Sequence, residues 1–117
     1  MLINLSNHPV AEWDKKQLKE AVRLYGEVQD MAFPNINPEW DFSHIETVAQ
    51  QYFEKIQKQQ PTAVHIMGEM TFCYKLIHTL QKEGIICIAS TTERNVTILP
   101  TGEKVITFQF VQFRNYF

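Results

Sequence analysis

Three short polar stretches hold most of the side chains in this chain that could do chemistry. "SNHP" supplies Ser6, Asn7 and His8 ahead of a proline; "GEMTF" supplies Gly68, Glu69, Met70, Thr71 and Phe72; "STTER" supplies Ser90, Thr91, Thr92, Glu93 and Arg94. Together they offer hydroxyls, an amide, an imidazole, a carboxylate, a guanidinium and a glycine at a helix start. That set suits a phosphate or ribose ligand. Hydroxyls and amides bond sugar oxygens, a guanidinium grips phosphate in a planar fork, and the free amides of a helix start attract anions. Met70 or Phe72 offers a surface on which a base could stack, although a helix aromatic also reads as core. Each stretch has a plainer reading as well. Asn7-His8-Pro9 reads equally as a turn closed by an Asx bond, Thr71 as a helix N-cap, and Glu93-Arg94 as a surface ion pair.

Other chemistries find no support. The first loop is S-N-H-P rather than G-x-G-x-x-G, no G-x-x-x-x-G-K-[ST] occurs, and no G-x-S-x-G elbow is present. The histidines at 8, 44, 65 and 78 lack metal-ligand spacing; His65, inside an apolar strand, and His78, on a helix, read as structural. Cys73 and Cys87 stand in apolar surroundings without C-x-x-C spacing and read as buried free thiols. Any catalysis is therefore expected to need neither metal nor cofactor. A net charge of −2 and a pI near 6.1 do not describe a surface for long DNA or RNA. With no signal-peptide pattern and no apolar run near the ~20 residues of a membrane span, the expectation is a cytoplasmic protein away from membranes.

The elements that must position these stretches are legible in the hydrophobic period. The length of 117 residues fits one domain, residues 1–117. Residues 2–6 read as a buried strand. A helix follows, with Leu18, Ala21, Val22 and Tyr25 on one face and Gly26 as its stop. Residues 27–33 read as a second strand and 34–41 as a loop. Ser43 and Glu46 suggest a capping box for a helix presenting Ile45, Val48, Ala49, Tyr52 and Ile56. Residues 62–67 are a third strand, and a helix with Phe72, Leu76, Ile77 and Leu80 runs to Gly84. Residues 85–90 form a fourth strand, and "NVTIL" and "KVITFQFVQF" a hairpin about "PTGE". Repeated strand–helix alternation predicts an α/β Rossmann-like domain: a mostly parallel sheet between helices, with a C-terminal antiparallel hairpin. Ligands of such sheets bind beyond the carboxyl ends of the strands, where the three polar stretches should converge. The alternating phenylalanines of "TFQFVQFRNYF" read as sheet core or as an edge pairing with a second copy, and a homodimer is expected.

"LINLSNHP", "GEMTF", "ASTTER" and "FVQFRNY", in that order and across nearly the whole chain, resemble the small stand-alone CRISPR-associated proteins of type III systems: CARF-related ring nucleases and cyclic-oligoadenylate binders. The resemblance implies a dimer of Rossmann-like domains that binds a cyclic oligoadenylate messenger of antiviral defence, cyclic tetra-adenylate being the expected ring, across the dimer axis. Carried over by position, the ligand residues are Ser6, Asn7, His8, Gly68, Glu69, Met70, Thr71, Ser90, Thr91, Thr92 and Arg94. Cleavage would proceed by attack of a ribose 2′-hydroxyl on its own phosphodiester, with His8, Thr92 and Arg94 as the catalytic set and Phe72 or Met70 against adenine. The loops depart from characterised ring nucleases in having no lysine, so the resemblance carries binding further than cleavage. A messenger-sequestering protein that does not cut, and an interaction protein with no nucleotide ligand, are the other two expectations.

Overall fold

The computed structural model describes residues 1–117. Its elements in chain order are β1 (Leu2–Ser6), a 3₁₀ turn (Val10–Glu12), α1 (Lys15–Tyr25), β2 (Val28–Asp30), α2 (Phe42–Gln59), β3 (Ala63–Met67), α3 (Met70–Lys82), β4 (Ile86–Ile98) and β5 (Lys104–Asn115). One five-stranded sheet has the order β2-β1-β3-β4-β5, parallel through β4 and antiparallel at β5. This is the expected α/β architecture with its C-terminal hairpin.

Strand alternation decides what each face of the sheet meets. Ile3, Leu5, Val64, Ile66 and Cys87 pack against Ile45, Ala49, Phe53 and Ile56 of α2 and Phe72, Leu76 and Leu80 of α3, which forms the larger core. Leu2, Ala63 and Ile88 point the other way and meet Ala21 of α1. With α1 on one face and α2 and α3 on the other, the chain changes direction across the sheet between β1 and β3. Cys73 and Cys87 are free buried thiols, and burial pushes each up to about 12, too high to supply a reactive thiolate.

Four local expectations need correction. The second strand spans only Val28–Asp30, because from Met31 the chain leaves the sheet to set Phe33 against Phe72, ring centroids 5.3 Å apart. Asp41, not Ser43, caps α2: its carboxylate accepts from the His44 amide, so Ser43 falls inside the first turn and no capping box forms. Thr71 does not cap α3. Glu69 does, accepting from the amides of Thr71 and Phe72. Residues 91–94, read as a loop, are strand. The 85–90 run and "NVTIL" form one continuous β4, because its β-branched threonines find a full-length antiparallel partner in β5. The paired strands run past the parallel sheet as a ribbon to a turn in which the Gly102 amide donates to the Leu99 carbonyl, with Gly102 at φ 86°.

Candidate functional site

On the α1 side of the sheet, side chains turn from apolar to polar towards the carboxyl edge. Leu2, Ala63 and Ile88 lie lower on that face, while Asn4, Ser6, His65 and Ser90 continue the same alternation above them. The parallel register sets Asn4 beside His65 and Ser6 beside Met67. Above these residues opens a cleft of about 560 Å³. Ser6, Asn7 and His8 line it from the β1 loop, His65 and Gly68 from β3 and its loop, and Ser90 and Thr92 from β4. Trp13 and Asp14, ahead of α1, and Phe108 and Phe110 of β5 complete the wall.

A hydrogen-bond network fixes the floor. The Asn4 amide nitrogen donates to the His8 carbonyl (2.8 Å) and to Asp30 Oδ1 (2.9 Å). Those two acceptors settle which end of the amide is which. Its oxygen then receives the Ser6 hydroxyl at 2.8 Å and faces His65 Nδ1 at 2.9 Å. An oxygen can only accept, so His65 Nδ1 carries the proton and Nε2 is a bare lone pair. Burial, with a smaller contribution from His8, lowers the His65 pKa to about 4, so the ring is neutral across the physiological range. Its Nε2 is buried and has no hydrogen-bond partner. Trp13 and Phe113 hold the ring edge-on at centroid distances of 5.2 and 5.8 Å.

His8 itself is mostly exposed at the mouth, its Nδ1 3.5 Å from Glu12 Oε2 one helical turn on. Its carbonyl faces inward and accepts from Asn4 and from the Trp13 indole (3.1 Å), while its amide donates to the Ser6 hydroxyl oxygen at 3.3 Å. The turn at Asn7-His8-Pro9 is held through the His8 carbonyl rather than closed by an Asx bond from Asn7, and the imidazole stands at the mouth beside Glu12. Asp14 locks the other side, one carboxylate oxygen capping α1 through the Gln17 amide and the other accepting from the Phe110 amide at 3.3 Å.

The structure brings together Ser6, Asn7, His8, Gly68, Ser90 and Thr92, and places the remaining expected residues elsewhere. Phe72 is wholly buried in the larger core, against Phe33 and Tyr52. Met70 is exposed and borders a separate apolar groove with Tyr74 and Tyr116. The Thr71 hydroxyl is held by Glu69. Slight burial works to raise the Glu69 carboxyl, but the Thr71 hydroxyl and the amides of Thr71 and Phe72 outweigh it and hold it below the usual range. That carboxylate therefore fills the position an external anion would take at the start of α3. At Gly68 an added Cβ would fall 2.3 Å from the Phe33 ring, so close packing is what requires glycine there. Thr91 bonds the backbone of Gln112, on the face opposite Thr92. Arg94 is exposed on the ribbon one pleat beyond Thr92, hence on the same face, opposite Phe108. Glu93 lies on the other face and opposite Gln109, so the expected Glu93–Arg94 ion pair does not form. The bulge at Thr91/Thr92 makes Val111 the extra residue, which is how Phe110 and Phe113, three apart, share one face with centroids 4.8 Å apart.

Asn4 and His65 are the functional candidates that the motifs did not select. Their signal was available: a polar residue at the same phase of two strands otherwise made of apolar residues, "LINLS" and "AVHIM". No group of three His, Cys, Asp or Glu side chains is arranged to hold a metal ion. Compared with known proteins, residues 1–114 match the family described as Uncharacterized protein MJ1673. No curated protein and no solved structure matches the chain.

Proposed function

We propose that this chain, which belongs to the MJ1673 family, binds a cyclic oligoadenylate in the carboxyl-edge cleft and cleaves it without a metal. The observation that carries this reading is the cleft: hydroxyls, an amide and two imidazoles gathered beside the β1–β3 switch point, where open α/β sheets take their ligands. The order of the "LINLSNHP", "GEMTF" and "ASTTER" stretches supports the choice of ligand. A 2′-hydroxyl oxygen would attack the adjacent phosphorus and the bond to the 5′-oxygen would break. The hydroxyl proton is lost to an acceptor, the departing 5′-oxygen gains one, and a 2′,3′-cyclic phosphate and a 5′-hydroxyl result. The residues of the cleft act by holding the attack in line. Thr92 offers a donor, Arg94 a charge from the ribbon, and His8 a group at the mouth that can contact phosphate.

A homodimer belongs to this proposal. The cleft is lined by Glu12 and Asp14 and by no lysine or arginine, so one copy brings little positive charge to a ring with several phosphates. A second copy across a two-fold axis would add its own Arg94.

That same absence of lining cations favours a second reading, in which the protein sequesters the messenger intact. Phosphorane charge needs fixed donors close by, whereas binding can rely on sugar and base contacts. Incubating the protein with cyclic tetra-adenylate in EDTA tests both. Linear products bearing 2′,3′-cyclic phosphate support the first; protein-bound intact ring supports the second. Failure to bind the ring rejects both and leaves an interaction protein.

A further inference from the structure

The one buried side-chain nitrogen or oxygen without a hydrogen-bond partner belongs to a residue lining the cleft: Nε2 of His65. A bare acceptor in that condition forgoes the hydrogen bond it would make in water. The rest of the ring is thoroughly determined. Asn4 fixes its tautomer, Trp13 and Phe113 fix its plane, and Asn4 is itself tied to His8, Asp30 and Ser6. Such a chain of constraints fixes one lone pair in one direction and one protonation state; because the atom itself is sealed from solvent, a ligand hydroxyl reaches it by displacing side chains packed over it.

We propose that His65 Nε2 accepts the hydrogen bond of a ribose 2′-hydroxyl of the bound ligand, making it the group by which the cleft distinguishes ribonucleotides from deoxyribonucleotides. The inference rests on the cyclic-oligoadenylate reading above and deepens it. A neutral imidazole that cannot donate from Nε2 rejects phosphate oxygens there and accepts only a donor. Within a ribose-phosphate ring the 2′-hydroxyl is the one sugar donor, since each 3′-oxygen is esterified. The ionisable groups that line the cleft with His65 are His8 at the mouth and Glu12 and Asp14 in the wall. The ring is already neutral well above a pH of about 4, so it offers the same lone pair throughout the neutral range.

The test is ¹⁵N NMR of the histidine rings in the full chain, in EDTA, with cyclic tetra-adenylate and with its all-2′-deoxy counterpart. Without ligand, His65 should show the Nδ1-protonated neutral tautomer. The ribo ring should move Nε2 to a hydrogen-bonded shift. The deoxy ring should leave Nε2 unmoved and bind about tenfold more weakly or worse. Equal affinities, or an Nε2 that stays put while other resonances respond, would overturn the role of His65 and leave messenger binding standing. Silence towards both rings would remove the reading itself, and this inference with it.

Discussion

Asn4 joins four neighbours, and truncating it would leave His65, Ser6 and Asp30 each short of a partner. Asn4→Ala should therefore lower unfolding free energy in urea by about 3 kcal/mol, far more than its lost volume explains. His65 makes stability depend on pH. Its folded pKa, about 4, lies below the ordinary 6.5, so between those values the unfolded chain binds a proton that the folded chain refuses. The stability is complete above about pH 6.5 and declines as pH falls to about 4, a loss of roughly 3 kcal/mol. His65→Gln, which can still bond Asn4 but cannot titrate, should lose that part of the slope; an unchanged slope would place its origin elsewhere. His8 belongs to a different case. Its exposed ring contributes little to the fold, so His8→Ala should leave the urea midpoint in place. On the proposed function, cyclic-oligoadenylate binding should weaken about tenfold in that variant, with cleavage falling in parallel, as expected for a phosphate contact rather than a proton carrier.

At the scale of elements, α3 shows how a helix start becomes unavailable to a ligand. Glu69 supplies the anion that its first-turn amides attract, and Thr71 secures that carboxylate. Removing the cap with Glu69→Ala should cost about 1 kcal/mol, or about 4 °C in thermal midpoint, with affinity for the ring changed less than about twofold. A large loss of affinity would instead return the α3 start to the ligand site. The β4–β5 ribbon plays the opposite part. By extending past the parallel strands it carries Thr92 and Phe108 over the cleft and Arg94 beyond it. A ribbon is a natural wall here because a pleat fixes which side chains face inward without needing a core beneath it.

Taken whole, the molecule is lopsided, 52 × 38 × 24 Å, because its ribbon projects and α1 covers its face of the sheet thinly. Leu18 and Val22 of α1 are 38% and 51% exposed, Phe108 and Val111 of β5 are 64% and 44% exposed, and β5 has a free edge twelve residues long. Long unpaired edges and apolar patches of this kind are usually covered in a stable protein. Light scattering should accordingly give a dimer mass, and Leu18→Glu with Val22→Glu should shift it towards monomer. A monomer at every workable concentration, ring present, would reject the two-fold arrangement.

What the sequence by itself determined were the features set by local period and by punctuation: three strand–helix repeats, a hairpin about "PTGE", helix faces at 45, 49, 56, 72, 76 and 80, and a cleft at the carboxyl edge. These follow from backbone geometry over a few residues, which is why they are readable without a partner strand. Features that depend on what lies alongside were decided by tertiary structure. "STTER" resembles a loop until β5 pairs with it, and Ser43 resembles a cap until Asp41 reaches the same turn first. His65 resembles a core histidine until register sets it beside Asn4, 61 residues away, and that contact alone assigns its proton and bares its other nitrogen. A hydrogen bond between strands is a property of register, and register is fixed only when the whole sheet closes around its core.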